Sequence, residues 1–145
     1  MRISTRGEYG VRAMFHLTLH YGKGPIPVRT IAEGQGIPEY YLEQLIGALR
    51  RAGLVTSVRG AQGGYTLSRP PERITVGDVL RVLEGPLTPI ECLERKQTEP
   101  DCGVLGPCAM RRMWQRLKDS IEHVLDTTTL ASLVQESLFC EEESH

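Results

Sequence analysis

The fold is decided by residues 36–67, which read GIPEYYLEQLIGALRRAGLVTSVRGAQGGYTL. The first part places apolar residues at helical spacing, which predicts a helix with one buried face. These residues are Leu42, Leu45, Ile46 and Leu49. Pro38 suits the first turn of this helix and Gly53 suits its end. The second part has two strand-like runs on either side of the Gly-rich residues 60–64, which predicts a β-hairpin.

Helices are also predicted on both sides of this stretch. The apolar stripe of the first helix consists of Gly10, Ala13, Met14, Leu17 and Tyr21. A short second helix is expected over residues 28–33, stopped by Gly34, Gln35 and Gly36. Downstream, Thr75 begins a helix that runs through Leu83, with Asp78 completing a variant of the capping box. The order of helix, short helix, helix and hairpin is that of a winged helix-turn-helix, so we expect a mostly α fold of this class with a β-hairpin wing.

The clearest periodic pattern lies nearer the carboxyl end of the chain. It consists of Met110, Met113, Trp114, Leu117, Ile121 and Val124. This stripe predicts a long amphipathic helix, and a shorter helix follows from about Thr129 to Leu138. An isologous homodimer would bury the stripe, and packing within the same chain is the alternative. We therefore expect a winged domain over residues 1–85, a cysteine-containing sensor loop over 86–107, and a dimerisation helix with a tail over 108–145.

Charge is distributed unevenly along the 145 residues. Residues 1–80 hold ten basic and six acidic residues, whereas residues 81–145 hold seven and twelve. The first part is therefore the better candidate for contact with a polyanion such as double-stranded DNA. No apolar run is long enough for a membrane helix and no signal core follows Met1, so we expect a cytoplasmic protein without membrane contact. No set of residues typical of an enzyme active site is apparent.

The predicted third helix presents polar residues near its start on the face opposite its apolar stripe. These candidate base readers are Tyr40, Tyr41, Glu43 and Gln44. Gln can pair with adenine and Glu can accept from cytosine in the major groove, although Glu43 could equally be a solvated side chain. One of the two tyrosines is expected to pack in the core. Arg50 lies at the far end of the helix, where contact with phosphate is more natural.

Two other segments are candidate DNA contacts. Arg59 stands at the tip of the wing beside glycines, where an arginine can enter a narrow minor groove. Arg2 and Thr5 precede or begin the first helix and are candidate phosphate contacts, which fix register on the duplex.

Three of the four cysteines lie in the predicted sensor loop or at the residue that follows it. Cys92, Cys102 and Cys108 have the spacing C-x9-C-x5-C, which is not the C-x2-C pattern of a structural zinc site. Thiolates suit iron–sulfur clusters, zinc or copper(I), and a thiol redox switch or unreactive cysteines remain open. Cys140, near the acidic tail, is not expected to be a ligand. The four histidines match no ligand spacing.

The chain resembles the IscR/NsrR family of bacterial winged-helix transcription regulators from residue 1 to about residue 138. The resemblance is carried by YLEQL at residues 41–45, SVRG at 57–60 and GGYTL at 63–67, and by the opening MRISTRGEYG. It implies a homodimer on a pseudo-palindromic operator, with a long crossing helix as the dimer contact. It also implies that Glu43, Gln44 and Arg59 are the base and groove readers. Tyr40 stands where a relative has a small hydroxyl residue, so the operator preference does not carry over.

The resemblance also implies an iron–sulfur cluster, either [2Fe-2S] or [4Fe-4S], held by Cys92, Cys102 and Cys108. The first gap between these cysteines is four residues longer than the usual spacing of the family. One branch of the family takes its fourth ligand from a His three residues after the third Cys, a position that is Arg111 here. Another branch uses a carboxylate on the first helix of the partner subunit, and Glu8 stands at that position. Glu8 could instead be a favourable charge near a helix start.

We therefore expect a homodimeric repressor whose affinity for DNA is controlled by the cluster. Two alternatives remain: a DNA-binding thiol redox sensor without a cluster, and a regulator controlled by a protein partner.

Overall fold

The structure is a computed structural model that describes residues 3–87 and 108–143. It confirms the mostly helical winged helix-turn-helix expected from the sequence. The elements in chain order are α1 (Thr5–Leu19), α2 (Val28–Gln35), α3 (Glu39–Arg51), β1 (Val55–Val58), β2 (Gly64–Leu67), a short 3-10 turn (Pro71–Arg73), α4 (Val76–Glu84), α5 (Cys108–Thr127) and α6 (Leu130–Glu143). The expectations that fall on residues 88–107 lie outside the described residues.

The core forms where α1, α2, α3 and α4 pack together. The predicted apolar face of α3 is fully buried in this core, and Ala13, Met14 and Leu17 of α1 join it. The inclusion of Tyr21 in the α1 stripe is wrong, because α1 ends at Leu19 and Tyr21 is 45% exposed in the following turn. The buried stripe of α1 therefore ends at Leu17, one turn before the predicted Tyr21.

Two helix ends have clear physical causes. Helix α2 runs two residues beyond the predicted range, to Gln35, because of the three predicted stop residues it is Gly36 that takes the left-handed conformation, with φ of 65°. At the start of α4, the backbone N–H of Asp78 donates to Thr75 Oγ1 and the backbone N–H of Thr75 donates to Asp78 Oδ2, each over 3.0 Å. The predicted capping box is therefore confirmed.

The wing is an antiparallel hairpin that is attached to the loop between α1 and α2. Its register pairs Val55 with Leu67 and Val58 with Gly64. The N–H of Tyr65 donates to the carbonyl of Ile26 over 2.8 Å, and the N–H of Ile26 donates back to the carbonyl of Tyr65 over 2.9 Å. A Cβ at Gly64 would lie 2.3 Å from the carbonyl atoms of Ile26, so a glycine is required for this close approach.

The junction between α5 and α6 is hydrogen-bonded to the winged domain. The N–H of Val76 donates to the carbonyl of Thr128, and the N–H of Leu130 donates to the carbonyl of Ile74, each over 2.9 Å. Leu130 is fully buried in the same core as α1 and α3. The start of α6 is therefore part of the core of the winged domain.

The stripe on α5 remains largely uncovered in the single chain. Met110, Met113 and Leu117 are between 43% and 47% exposed, and Val124 is 60% exposed. Most of the stripe is therefore available to a second subunit. Within the described residues, no helix is both long and apolar enough to cross a membrane.

Candidate DNA-reading surface and sensor residues

Helix α3 separates its buried face from a fully accessible polar face. Glu43 and Gln44 are exposed near its start and Arg50 is exposed near its end. A helix with this division can present its first turns to the edges of bases while its other face stays anchored in the core. The structure therefore brings the two candidate base readers onto one accessible face.

The two neighbouring tyrosines have different environments. Tyr40 is 76% exposed, whereas Tyr41 is half-buried and packs edge-to-face on Tyr9 with a ring centroid distance of 5.9 Å. One of the pair therefore packs against the core, as expected. The accessible one, Tyr40, offers a large aromatic surface on the same helix end as Glu43.

The wing tip presents its arginine to solvent. Arg59 is exposed and precedes Gly60, which has φ of 116°. That conformation favours glycine, so the tip turns without a side chain beside Arg59. A Cβ at Gly63 would lie 2.1 Å from the carbonyl oxygen of Val58, which keeps the turn free of bulk on its other side as well.

The start of α1 is held by Glu84, a residue that no local pattern in the sequence marks as important. One carboxylate oxygen of Glu84 accepts hydrogen bonds from the N–H of Ser4 over 2.9 Å, from the hydroxyl of Ser4 over 2.5 Å, and from the N–H of Gly7 over 3.0 Å. In addition, Arg6 Nε donates to the carbonyl of Leu83 over 3.1 Å. The end of α4 therefore caps the start of α1, where the candidate contact Thr5 is exposed. Arg2, the other candidate contact in this segment, lies outside the described residues.

Helix α4 also contacts α5 through an ion pair. Arg81 donates two hydrogen bonds to the carboxylate of Asp126, over 2.5 Å and 2.9 Å. The hydrogen bonds from Arg81 lower the pKa of Asp126 and raise the pKa of Arg81. Both side chains are more than a third exposed, so the pair contributes little to the stability of the fold. Its main effect is to orient α5 relative to α4.

Little of the expected cluster site lies in the described part of the chain. Cys92 and Cys102 fall outside it, and Cys108 is the first residue of α5, with a side chain that is also outside the description. Among residues 3–87 and 108–143, no group of three or more His, Cys, Asp or Glu side chains is arranged to hold a metal ion. The described residues therefore include Glu8 but none of the three cysteine side chains.

Glu8 itself lies beside an apolar groove. It is exposed on α1 and lines a groove of about 480 Å³ between α1, α4 and α5. The other lining residues are Ile3, Val11, Arg12, Val76, Leu80 and Leu125. Leu87 packs against Val76 and Leu80 of this lining and is the last described residue before the cysteine-containing segment. The chain thus enters that segment next to the groove that contains Glu8.

Comparisons with known proteins place the chain among bacterial regulators. Residues 3–136 match the model of the family described as "Rrf2: Iron-dependent Transcriptional regulator". The chain is 47% identical over 133 residues to the HTH-type transcriptional regulator CymR of Bacillus subtilis, covering 92% of this chain and 89% of that protein.

Two solved structures are similar over most of the chain. The structure of B. subtilis CymR, titled the global cysteine regulator, has a TM-score of 0.81 at 43% identity and covers 94% of this chain and 98% of that one. The structure titled T. potens IscR has a TM-score of 0.75 at 47% identity and covers 94% of this chain and 88% of that one.

The relatives are transcriptional regulators rather than enzymes, and regulators of this kind bind double-stranded DNA as dimers. The chain therefore belongs to the Rrf2 family of DNA-binding transcriptional regulators.

Proposed function

We propose that this regulator is a cytoplasmic repressor whose operator affinity is controlled by an iron–sulfur cluster on Cys92, Cys102 and Cys108. One observation carries the proposal: three soft thiol donors lie within 17 residues of sequence, and the last of them begins the long helix α5. A helix start favours a thiolate, the form of cysteine that binds iron. The donor set therefore fits a cluster better than it fits a hard cation such as Mg²⁺.

The fourth ligand in this proposal is Glu8 of the partner subunit. Its support is that Glu8 is exposed and that its carboxylate makes no ion pair or hydrogen bond within the described residues. It lies beside the groove at which Leu87 leads into the cysteine-containing segment. A carboxylate is a harder ligand for iron than a thiolate, so such a position would be the labile one. The cluster would supply an inorganic group that is lost or altered when its chemical signal arrives.

The chain's own residues can carry a change in this segment to the DNA-reading surface. The segment follows directly on the end of α4, where Glu84 holds Ser4 and Gly7 at the start of α1. Arg81 on the same helix holds Asp126 of α5, the dimer helix. Helix α4 is thus bonded to both elements that set the position of the reading surface. A difference of about 1–3 kcal/mol between two positions would change DNA affinity by about 5- to 150-fold.

The DNA contacts belong to the same proposal. Glu43 and Gln44 would read base edges in the major groove, and Arg59 would enter the minor groove at the wing. Tyr40 would add an apolar contact to thymine methyl groups on the same helix end. Tyr41, half-buried, would support α3 from behind. The phosphate contacts would be Arg2, Thr5 and Arg50.

The division of the chain is proposed on the same basis. Residues 1–85 would form the DNA-binding unit, residues 86–107 the sensor loop, and residues 108–145 the dimerisation helix and tail. Exposure of the α5 stripe supports the last assignment, whereas the burial of Leu130 ties the start of α6 to the first unit.

A second function is favoured by the similarity to CymR. That relative is titled a global cysteine regulator, and its structure matches this chain with a TM-score of 0.81, against 0.75 for the structure of IscR. On this alternative, the chain would respond to cysteine supply through a protein partner or through thiol oxidation, without iron. The exposed Cys140 would then be one available thiol.

Purification without air separates the two functions. The cluster proposal predicts a coloured dimer with iron and sulfide in about equal amounts, and loss of both when Cys92, Cys102 and Cys108 are changed together to Ser. Cys140→Ser is the matched control, which should keep its colour. A colourless preparation that still binds its operator, even after anaerobic reconstitution with iron and sulfide, would favour the CymR-like function.

A further inference from the structure

Helix α3 contains a glycine that packing within the chain does not require. The helices of the described residues contain five glycines, which are Gly7, Gly10, Gly34, Gly47 and Gly77. At four of them a Cβ would lie 2.6 Å or less from a side chain of a neighbouring helix, so close packing explains those four. The exception is Gly47, where the only described atom within 4 Å of a Cβ is Nη1 of Arg51, at 3.4 Å. That distance is an ordinary contact, and the atom is the end of a flexible, exposed side chain.

The backbone conformation of Gly47 does not require a glycine either. The residue lies in the interior of α3 and is not among the glycines with positive φ. A glycine inside a helix destabilises the helix relative to alanine, because glycine loses more backbone freedom on folding. Helix α3 therefore contains an unfavourable residue that no contact among the described residues explains.

Gly47 lies in the middle of the polar face of α3. It follows Glu43 by four residues and Gln44 by three, and it precedes Arg50 by three and Arg51 by four. Residues at these spacings share one face of a helix. The four side chains are exposed, whereas the opposite face of α3 is buried in the core. The accessible face thus has side chains at both ends and bare backbone between them.

We infer that Gly47 is the point at which the backbone of α3 lies against the base edges of the operator, and that it sets how deeply α3 enters the major groove. This inference rests on the proposed base-reading role of α3 and is independent of the cluster. Glycine allows the backbone to approach a ligand closely. A closer approach at Gly47 brings Glu43 and Gln44, one turn earlier, within hydrogen-bond reach of the bases.

The charge around Gly47 favours DNA over a second protein surface. Neither Arg50 nor Arg51 forms an ion pair within residues 3–87 and 108–143. Two unpaired guanidinium groups favour contact with a polyanion. The guanidinium of Arg51 lies over Gly47 in the free protein and can turn to a phosphate when the duplex binds. The apolar stripe that suits a second subunit lies on α5 instead.

The test compares the stability and the DNA affinity of full-length Gly47→Ala and Gly47→Leu dimers. The probe is a duplex selected from a random-sequence library by the original protein, and a scrambled duplex of the same length is measured at the same salt concentration. Gly47→Ala should raise the midpoint of thermal unfolding by about 2–4 °C, because alanine favours the helix.

Affinity for the selected duplex should nevertheless fall. We expect a loss of about fivefold for Gly47→Ala and about fiftyfold for Gly47→Leu, because an added side chain overpacks a close contact. Affinity for the scrambled duplex should change less than about twofold, because non-specific binding depends mainly on phosphate charge. Gln115→Leu places the same side chain on the exposed face of α5 and is the matched control. It should bind both duplexes as the original protein does.

A double variant, Glu43→Ala with Gln44→Ala, tests the proposed base readers separately. If the double variant loses affinity while both Gly47 variants bind the selected duplex normally, the inference about Gly47 is overturned and the base readers stand. If none of the three loses affinity, the proposed reading face is wrong as well. The inference also fails if the scrambled duplex loses as much affinity as the selected one. A lower unfolding midpoint for Gly47→Ala would overturn it too, because the fold itself would then need the glycine.

Discussion

Glu84→Ala should loosen the start of α1 and weaken both the fold and DNA binding. One carboxylate oxygen of Glu84 accepts three hydrogen bonds from Ser4 and Gly7. Among the described residues it is the only side-chain cap at the start of α1, because the side chain of Ser4 makes no capping bond to its own helix. The substitution removes all three acceptor contacts while leaving α4 itself intact, since Glu84 is its last residue.

The size of the effect follows from these contacts. Loss of a helix cap costs about 1 kcal/mol, within a range of about 0.5–2 kcal/mol. Hydrogen bonds to a charged group can contribute about 1.5–3 kcal/mol, but Ser4 is exposed and water replaces part of what is lost. We therefore expect Glu84→Ala to lower the free energy of unfolding by about 1–2 kcal/mol. Glu84→Gln keeps an acceptor oxygen and should cost less.

The assay is urea unfolding at one protein concentration, because stability of a dimer depends on concentration. Glu72→Ala is the control, since Glu72 is exposed in the 3-10 turn and should change stability by no more than about 0.5 kcal/mol. Operator affinity of Glu84→Ala should fall about threefold to tenfold, equivalent to about 0.7–1.4 kcal/mol. If Glu84→Ala is as stable as Glu72→Ala and binds operator equally well, the proposed link from α4 to α1 is wrong.

Three more perturbations test other parts of the account. Arg59→Ala should weaken operator binding by about 1–3 kcal/mol with little change in unfolding, as measured by fluorescence anisotropy; equal affinity would remove the wing tip from the interface. Leu130→Ala should cost about 2–5 kcal/mol of stability in urea, because the side chain is fully buried, and a loss under 1 kcal/mol would contradict its place in the core. Burial, with a smaller effect of His20, lowers the pKa of His16 from 6.5, so the folded protein binds fewer protons there than the unfolded chain. The contribution of His16 to the free energy of unfolding is therefore complete above about pH 6.5 and decreases as pH falls through the lowered pKa. His16→Gln should flatten the dependence of stability on pH in this range. An unchanged slope would show that His16 does not cause it.

The sequence was sufficient for features that depend on local pattern. The buried face of α3 has a period that only a helix satisfies, and the capping box at Thr75 needs just two residues three apart. Tyr21 shows the limit of periodicity, because the turn after Leu19 ends α1 before the pattern does. A pattern of apolar residues does not show at which residue a helix ends and the following loop begins.

Contacts between distant residues could not be predicted in the same way. Glu84 is 80 positions from Ser4, and Arg81 is 45 positions from Asp126, so neither pair leaves a local signal. Burial of His16 depends on its packing against Gly34 of another helix, where an added Cβ would lie 2.6 Å from the ring. These three contacts, Glu84 with Ser4, Arg81 with Asp126 and His16 with Gly34, hold α1, α2 and α5 in place. They are visible only in the folded chain.

We propose that the cysteine-containing segment controls DNA binding through iron. It is tested most directly by measuring operator affinity without air on one preparation, before and after its iron is removed by a chelator, at a fixed salt concentration. We expect operator affinity to change by at least about fivefold, equivalent to about 1 kcal/mol. That change should be absent when Cys92, Cys102 and Cys108 are all replaced by Ser. Identical affinity of the iron-loaded and iron-free protein would contradict it.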